Sequence, residues 1–225
     1  MNPPLHLTFR IASFLLASVL GTYCIWLLAA ELARPTVNNL PTDRQSAAIA
    51  TQQRVDASWA ARVGIIRGDL WAESAFALDD LLLANANKNG SELTQSLGQV
   101  RGCLDRAVSY APTQASVWLL LARLASHYHW PKPDPIEALR MSYYTGPNEL
   151  PLMPLRSLMA SQLPTTAVEM QQFARRDLRL LITHQQKLAV IQAYRSATPA
   201  GRRFIEHELG DSDPSFVKSL RGGAE

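Results

Sequence analysis

The residues best suited to chemistry lie in the second half of the chain. His127-Tyr128-His129-Trp130 sets two imidazoles beside two amphipathic rings. Histidines at i and i+2 point to different sides of a helix. They chelate together only if the backbone unwinds before Pro131, and Asp134 would then be needed as a third ligand. The simpler expectation is an aromatic rim at a helix end that touches a partner. Arg175, Arg176 and Arg179 form one basic edge, and Arg202 and Arg203 form another. Asp177 and Glu206 are expected to pair with part of this charge on a solvated face, with a protein partner or an anionic glycan as the functional alternative. Asp79 and Asp80 are neighbours on a helix, about 100° apart, and do not converge on one substrate. Arg67-Gly68-Asp69 reads as a helix break followed by an N-cap.

Signatures of catalysis are missing from the sequence. It holds no G-x-S-x-G elbow, no phosphate-cradling Gly-rich loop and no H-E-x-x-H. Cys24 lies in an apolar segment and Cys103 in a distant helical pattern, with no further ligand at metal spacing. Both read as small apolar residues, without a disulfide between them. A formal net charge of +3 on 225 residues, with no basic run, argues against nucleic acid. The expectation is a protein that is not an enzyme, with no cofactor and no metal.

The elements that must position these residues begin with residues 11–30, twenty in a row without a charge. At about 1.5 Å per residue this run spans about 30 Å, the thickness of a bilayer core. Arg10 bounds it on one side and Glu31, Arg34 and Pro35 on the other, with Tyr23 and Trp26 near the far end where interfacial rings belong. A cleaved signal peptide is the rival reading. The run is too long for one, and Leu28 occupies the position where an A-x-A site after Ala30 needs a small residue. The expected organisation is a cytoplasmic tail over 1–10, a transmembrane helix over 11–30, a linker over 31–42 and a helical domain over 43–222. Arg10 on one side and Arg34 and Arg44 on the other nearly balance the positive-inside signal. The short tail favours a single-pass inner-membrane protein whose C-terminal domain is periplasmic or otherwise extracytoplasmic. Ser13, Ala17 and Gly21 share one face at four-residue spacing, which would let two copies dimerise.

Beyond the linker the periodicity is helical throughout, and no stretch alternates as a strand does. A helix is expected over 42–66, ending near Gly64 or Gly68, and a second from Asp69 with Leu70, Trp71, Ser74 and Leu78 on one face. Residues 85–90 (NANKNG) break the chain. Leu93, Leu97, Val100, Leu104 and Ala107 form the clearest stripe. Ala111-Pro112-Thr113 turns the chain, Thr113 can cap the next helix, and the prolines at 131, 133 and 135 end it. Thr166 with Glu169 fits a capping box. Thr198-Pro199 opens a helix that Gly210 closes, and Asp213-Pro214 opens one that Gly222 closes. The fold class is all-α, with one transmembrane helix and about nine or ten short helices after it.

Trp118, Leu121 and Ala122 stand as W-x2-L-A. Leu104 and Ala107 before Pro112, and Leu139 and Ser142 before Pro147, keep the same spacing to prolines 35 residues apart. This segment, about 100–147, resembles a tetratricopeptide-type helical repeat. The resemblance implies an α-solenoid-type arrangement in which Trp118 fills the space between paired helices. It also implies a groove for a protein or peptide, with Trp71, Arg123 and Tyr128 drawn from successive first helices. His129 and the edge of Arg175, Arg176 and Arg179 complete the expected partner-binding set. Membrane-tied helical repeats suggest a scaffold of the bacterial cell envelope, serving envelope, secretion or polysaccharide assembly. Two alternatives stay open. A structural subunit of a larger membrane complex would carry a flat apolar patch, and an enzyme with an unrecognised site would carry a closed pocket of convergent polar groups.

Overall fold

The structure, a computed structural model, describes residues 3–32, 34, 55–84, 90–163, 167–210 and 213–222. Most of the expected 31–42 linker, the first part of the expected 42–66 helix, residues 85–89 of the expected breaker and Thr166 of the expected capping box lie outside them. Among the described residues the chain is helical, with no strand. It divides into two compact units, Met1–Pro112 and Thr113–Glu225, at the proline turn.

The first unit opens with α1, Pro3–Leu32. Its stretch Leu7–Leu32 is long and apolar enough to cross a membrane, and its side chains are exposed until the last two turns. Residues 55–63 form α2, followed by a turn over 64–66. The helices α3, Gly68–Ala84, and α4, Gly90–Tyr110, pack side by side as a hairpin. Val100, Cys103, Leu104 and Ala107 of α4 are buried at three- and four-residue intervals. Gly68 is required by packing: a Cβ there would run into the backbone nitrogen and side chain of Ala111, so the start of α3 meets the end of α4 closely.

The second unit opens with a hairpin of α5, Ala115–His127, and α6, Pro135–Thr145. A 3-10 turn, Leu150–Leu152, leads into α7, Met153–Gln162. Then come α8, Val168–Thr183; α9, Lys187–Ser196; α10, Pro199–Gly210; and α11, Pro214–Gly222. Leu178, Leu181, Val190, Tyr194, Ile205, Leu209 and Val217 are central to their shared core. Gly146 closes the α5–α6 hairpin as Gly68 closes the first one, since a Cβ on it would strike Ala115 at the start of α5.

Several local expectations change. Gln114 is the N-cap of α5 and makes no side-chain bond, so Thr113 lies one residue too early to reach the first free amides. Trp118 is half-buried, and the core of α5 is carried by Val117, Leu119, Leu120 and Leu124. Asp134 is the N-cap of α6, accepting from the Ile136 amide at 2.8 Å with Pro135 at the first helical position. The N-cap of α8 is Ala167, and the Glu169 carboxylate instead accepts from the Tyr144 hydroxyl and lies 3.7 Å from Arg140.

Candidate functional site

Three polar assemblies stand out, one in the first unit and two in the second. The first is a cleft of about 320 Å³ among α2, α3 and α4. Ser58 and Arg62 come from one face of α2, Trp71, Ser74 and Leu78 from one face of α3, and Gly98, Gly102, Cys103 and Arg106 from α4. The two glycines leave it open, because nothing lies within 4 Å of where their Cβ atoms would stand. Trp71 is only 7% exposed and forms the floor. Its indole N–H is already used, donating to the Ile65 carbonyl at 2.9 Å. The guanidinium of Arg106 lies 4.4 Å from the centre of the Trp71 ring, a cation–π contact. At the base, the Ser74 hydroxyl and Cys103 thiol are 3.6 Å apart. Burial pushes the thiol pKa up, against the Ser74 hydrogen bond and the positive charge of Arg106 and Arg62. Both guanidinium groups are exposed at the mouth, and neither forms an ion pair among the described residues. Two guanidinium groups lining one cleft, one of them over an indole ring and neither ion-paired among the described residues, could hold a carboxylate or another oxyanion.

The second assembly is a cleft of about 550 Å³ between α8 and α10, lined by Arg175, Arg179, Thr183, His207 and Glu208. Here one carboxylate already serves the two arginines. Arg175 donates through Nη2 to Glu208 Oε1 at 2.7 Å, its Nε lies 2.6 Å from Oε2, and Arg179 approaches the same oxygen at 3.9 Å. Glu208, only 5% exposed at its side chain, takes the role expected of Glu206. On a helix these two carboxylates project about 200° apart. Glu206 instead accepts from Tyr194 at 2.6 Å and pairs with Arg221 at 2.5 Å. Arg176 turns away from the cleft, with Nη2 3.5 Å from Asp177 and its guanidinium near the Phe173 ring.

The third assembly is buried. Tyr143, Arg156 and Asp177 are completely inaccessible. Arg156 donates to the Ser142 hydroxyl at 3.0 Å, to the Gly146 carbonyl at 2.8 Å and to the Ser142 carbonyl, with its guanidinium 5.0 Å from the centre of the Tyr143 ring. Burial raises Asp177 to about 6, although Arg156 and Arg176 pull it down. Burial also lowers Arg156 and raises Tyr143. Such a perturbed carboxyl beside a phenol and two guanidinium groups occurs at functional sites and in structural ion-pair networks alike. None of these three core groups lines either of the two clefts.

The expected partner-binding residues fall in both units, Trp71 in the first and Arg123, Tyr128, His129, Arg175, Arg176 and Arg179 in the second. Trp71 lies in the first unit and is largely consumed by packing. Arg123 is half-buried, and burial lowers its pKa to about 10. Tyr128 is half-buried against His127, with ring centres 4.7 Å apart and edges meeting faces. His129 has a structural role: its φ of 52° puts it in the left-handed region, where Tyr128 N–H reaches Leu124 O and Trp130 N–H reaches Ala125 O to stop α5. Gln185, at φ 61°, stops α8 in the same way. Among the described residues no three His, Cys, Asp or Glu side chains are placed to hold a metal. The anion cleft was missed because Arg62 and Arg106 stand 44 residues apart; their only sequence signal is that each follows an apolar helical stripe.

No family model, curated protein or solved structure matches this chain.

Proposed function

We propose that the chain is a membrane-anchored helical scaffold of the bacterial cell envelope. Its helical part stands on the extracytoplasmic side and takes an acidic segment of a protein or peptide partner in the α2–α3–α4 cleft. The observation that carries this reading is the pair Arg62 and Arg106, which face the cleft mouth without a carboxylate partner among the described residues. In the α8–α10 cleft Arg175 is paired closely with Glu208 and Arg179 approaches the same carboxylate, which leaves less unsatisfied charge to recruit an anion. The exposed apolar length of α1 supports anchoring. The two hairpins, each closed by a glycine where its first and second helices meet, support the tetratricopeptide-type reading. Self-association through the exposed Ser13, Ala17 and Gly21 belongs to the same reading.

The test is crosslinked capture from membranes, with the intact chain carrying a photoreactive residue at Gln99 on the cleft rim. The reading expects a reproducible adduct that is lost in the double variant Arg62→Glu, Arg106→Glu and kept in Arg175→Glu. Equal capture by the cleft variant would overturn the assignment. Turnover of a small molecule by the purified chain alone would replace the scaffold with an enzyme. A reporter fused after Glu225 that is active only in the cytoplasm would reverse the orientation.

A further inference from the structure

The helix α2 is built inside out for a water-exposed helix. Its buried residues are small, Ala57, Ala60 and Ala61, while Val55 and Trp59 point outward at 69% and 51% exposure. The turn that follows adds Ile65 and Ile66, exposed at 58% and 57%. Val55 and Trp59 lie four residues apart on one face of α2, Arg62 continues that face as an exposed charge, and Ile65 and Ile66 add apolar bulk in the turn just beyond it.

The position of this patch along α1 is set by a hydrogen bond. Trp26 Nε1 donates to the Val63 carbonyl at 2.7 Å, at the end of α2. With Arg10 at one interface, the uncharged run over 11–30 occupies the hydrocarbon, and Trp26 then lies about 6 Å inside its far edge at about 1.5 Å per residue. The turn after α2 is therefore held at the level where lipid begins. Trp26, Leu27 and Ala29 are half-buried and Ala30 is buried, so one face of α1 is covered over the same two turns while Ile25, Leu28 and Leu32 stay exposed. One step beyond, Arg67 pairs with Glu31 at 2.8 Å and with Asp69 at 2.6 Å, and Arg34 pairs with Glu73 at 2.5 Å. These charges are matched where the headgroups stand.

Part of the backbone of the turn is paired within the protein. Gly64 N–H donates to the Ala60 carbonyl and Arg67 N–H to that of Gly64, while the Ile65 carbonyl receives the Trp71 indole N–H.

We propose that the α2–α3 corner is a second membrane contact, with Trp59, Ile65 and Ile66 entering the bilayer interface beside the end of α1. This rests on the anchor reading of α1, and the occupant of the patch is the lipid surface that continues from that helix.

The experiment places single nitroxide labels on the full chain in phosphatidylcholine–phosphatidylglycerol vesicles, in a Cys24→Ala, Cys103→Ala background with the helical circular dichroism checked for each. Labels at Ile66→Cys and Trp59→Cys report on the corner, Phe14→Cys on α1 and Glu92→Cys on water. The readout is collisional access to oxygen relative to a water-soluble nickel chelate. The proposal expects high oxygen-to-nickel ratios at 66 and 14, an intermediate ratio at 59 and a low one at 92. A lipid-like ratio at 14 with water-like ratios at both 59 and 66 would overturn the second contact while leaving the anchor standing. A water-like ratio at 14 would overturn the anchor and this proposal together.

Discussion

The indole N–H of Trp26 and the carbonyl oxygen of Val63 are 2.7 Å apart, joining the apolar first helix to the last turn of α2. Val63 lies in the final turn of α2, where a carbonyl has no partner within its own helix. The indole supplies one. Replacing Trp26 by Phe keeps most of the ring and removes the donor, so stability should fall by about 1 kcal/mol. Denaturant unfolding in detergent checks the magnitude, and faster amide exchange over 64–66 checks the location. An unchanged unfolding curve would mean that this bond carries no net stability.

The elevated pKa of Asp177 makes the second unit sensitive to pH. Burial carries the carboxyl from its ordinary 3.8 to about 6. A folded value above the unfolded one means that the native state binds this proton more tightly. The resulting stability is full below about pH 4 and is lost as pH rises through about 6, by at most about 3 kcal/mol. Burial raises Glu73 in the same direction, its hydrogen bond to Arg34 notwithstanding. The difference between the native chain and Asp177→Asn therefore isolates Asp177. Unfolding free energies at several pH values between 4 and 7 should decline less steeply in the variant; parallel curves would show that Asp177 does not titrate as its burial requires.

Arg156 is a fully buried cation satisfied by three oxygens of Ser142 and Gly146. Arg156→Met removes the donors and leaves those oxygens and the Asp177 charge buried, at a cost of about 3 kcal/mol or more. In an Asp177→Asn background the same replacement should cost less, because no stranded carboxylate remains. The double-mutant cycle measures this by thermal or urea unfolding. Strict additivity would show that the two groups do not interact.

Two glycines of the first unit should respond oppositely to the same change. A methyl group on Gly68 meets Ala111, whereas one on Gly98 meets nothing within 4 Å. Gly68→Ala is expected to lose about 1 to 3 kcal/mol through overpacking, and Gly98→Ala to gain up to about 1 kcal/mol from helix propensity. Gly98→Ala also narrows the cleft beneath Arg62 and Arg106, so it should weaken capture of an acidic partner while the fold becomes firmer. Melting temperatures of the two variants, compared side by side, decide the point.

His129 and Gln185 end their helices in the left-handed region at φ 52° and 61°. A Cβ in that region costs about 1 kcal/mol or more, and glycine avoids the cost. His129→Gly and Gln185→Gly should each stabilise the chain by a few tenths to about 1 kcal/mol, the gain being reduced by the added freedom of the unfolded chain. A clear loss at position 129 would show that the imidazole makes contacts worth more than its backbone strain.

The helices that sequence located best are those whose ends are written in neighbouring residues. Thr198-Pro199 with Gly210, and Asp213-Pro214 with Gly222, bracket α10 and α11 because a cap hydroxyl or carboxylate acts on amides two or three residues away. The apolar run of α1 was equally legible, since composition alone sets whether a helix is long and apolar enough for a bilayer. The ends of α5 and α8 were less so. His129 and Gln185 are exposed non-glycine residues, and the hydrogen bonds that close each helix hold them in the left-handed region. Tertiary structure likewise decided which arginines are matched and which are not. Arg175 meets Glu208 across two helices, Arg156 is enclosed by Ser142 and Gly146, and Arg62 and Arg106 line one cleft, Arg106 over Trp71, with no carboxylate partner among the described residues. Helical period is a property of three or four consecutive residues. The neutralisation of a charge depends on which helices pack together, and spacing along the chain does not encode that.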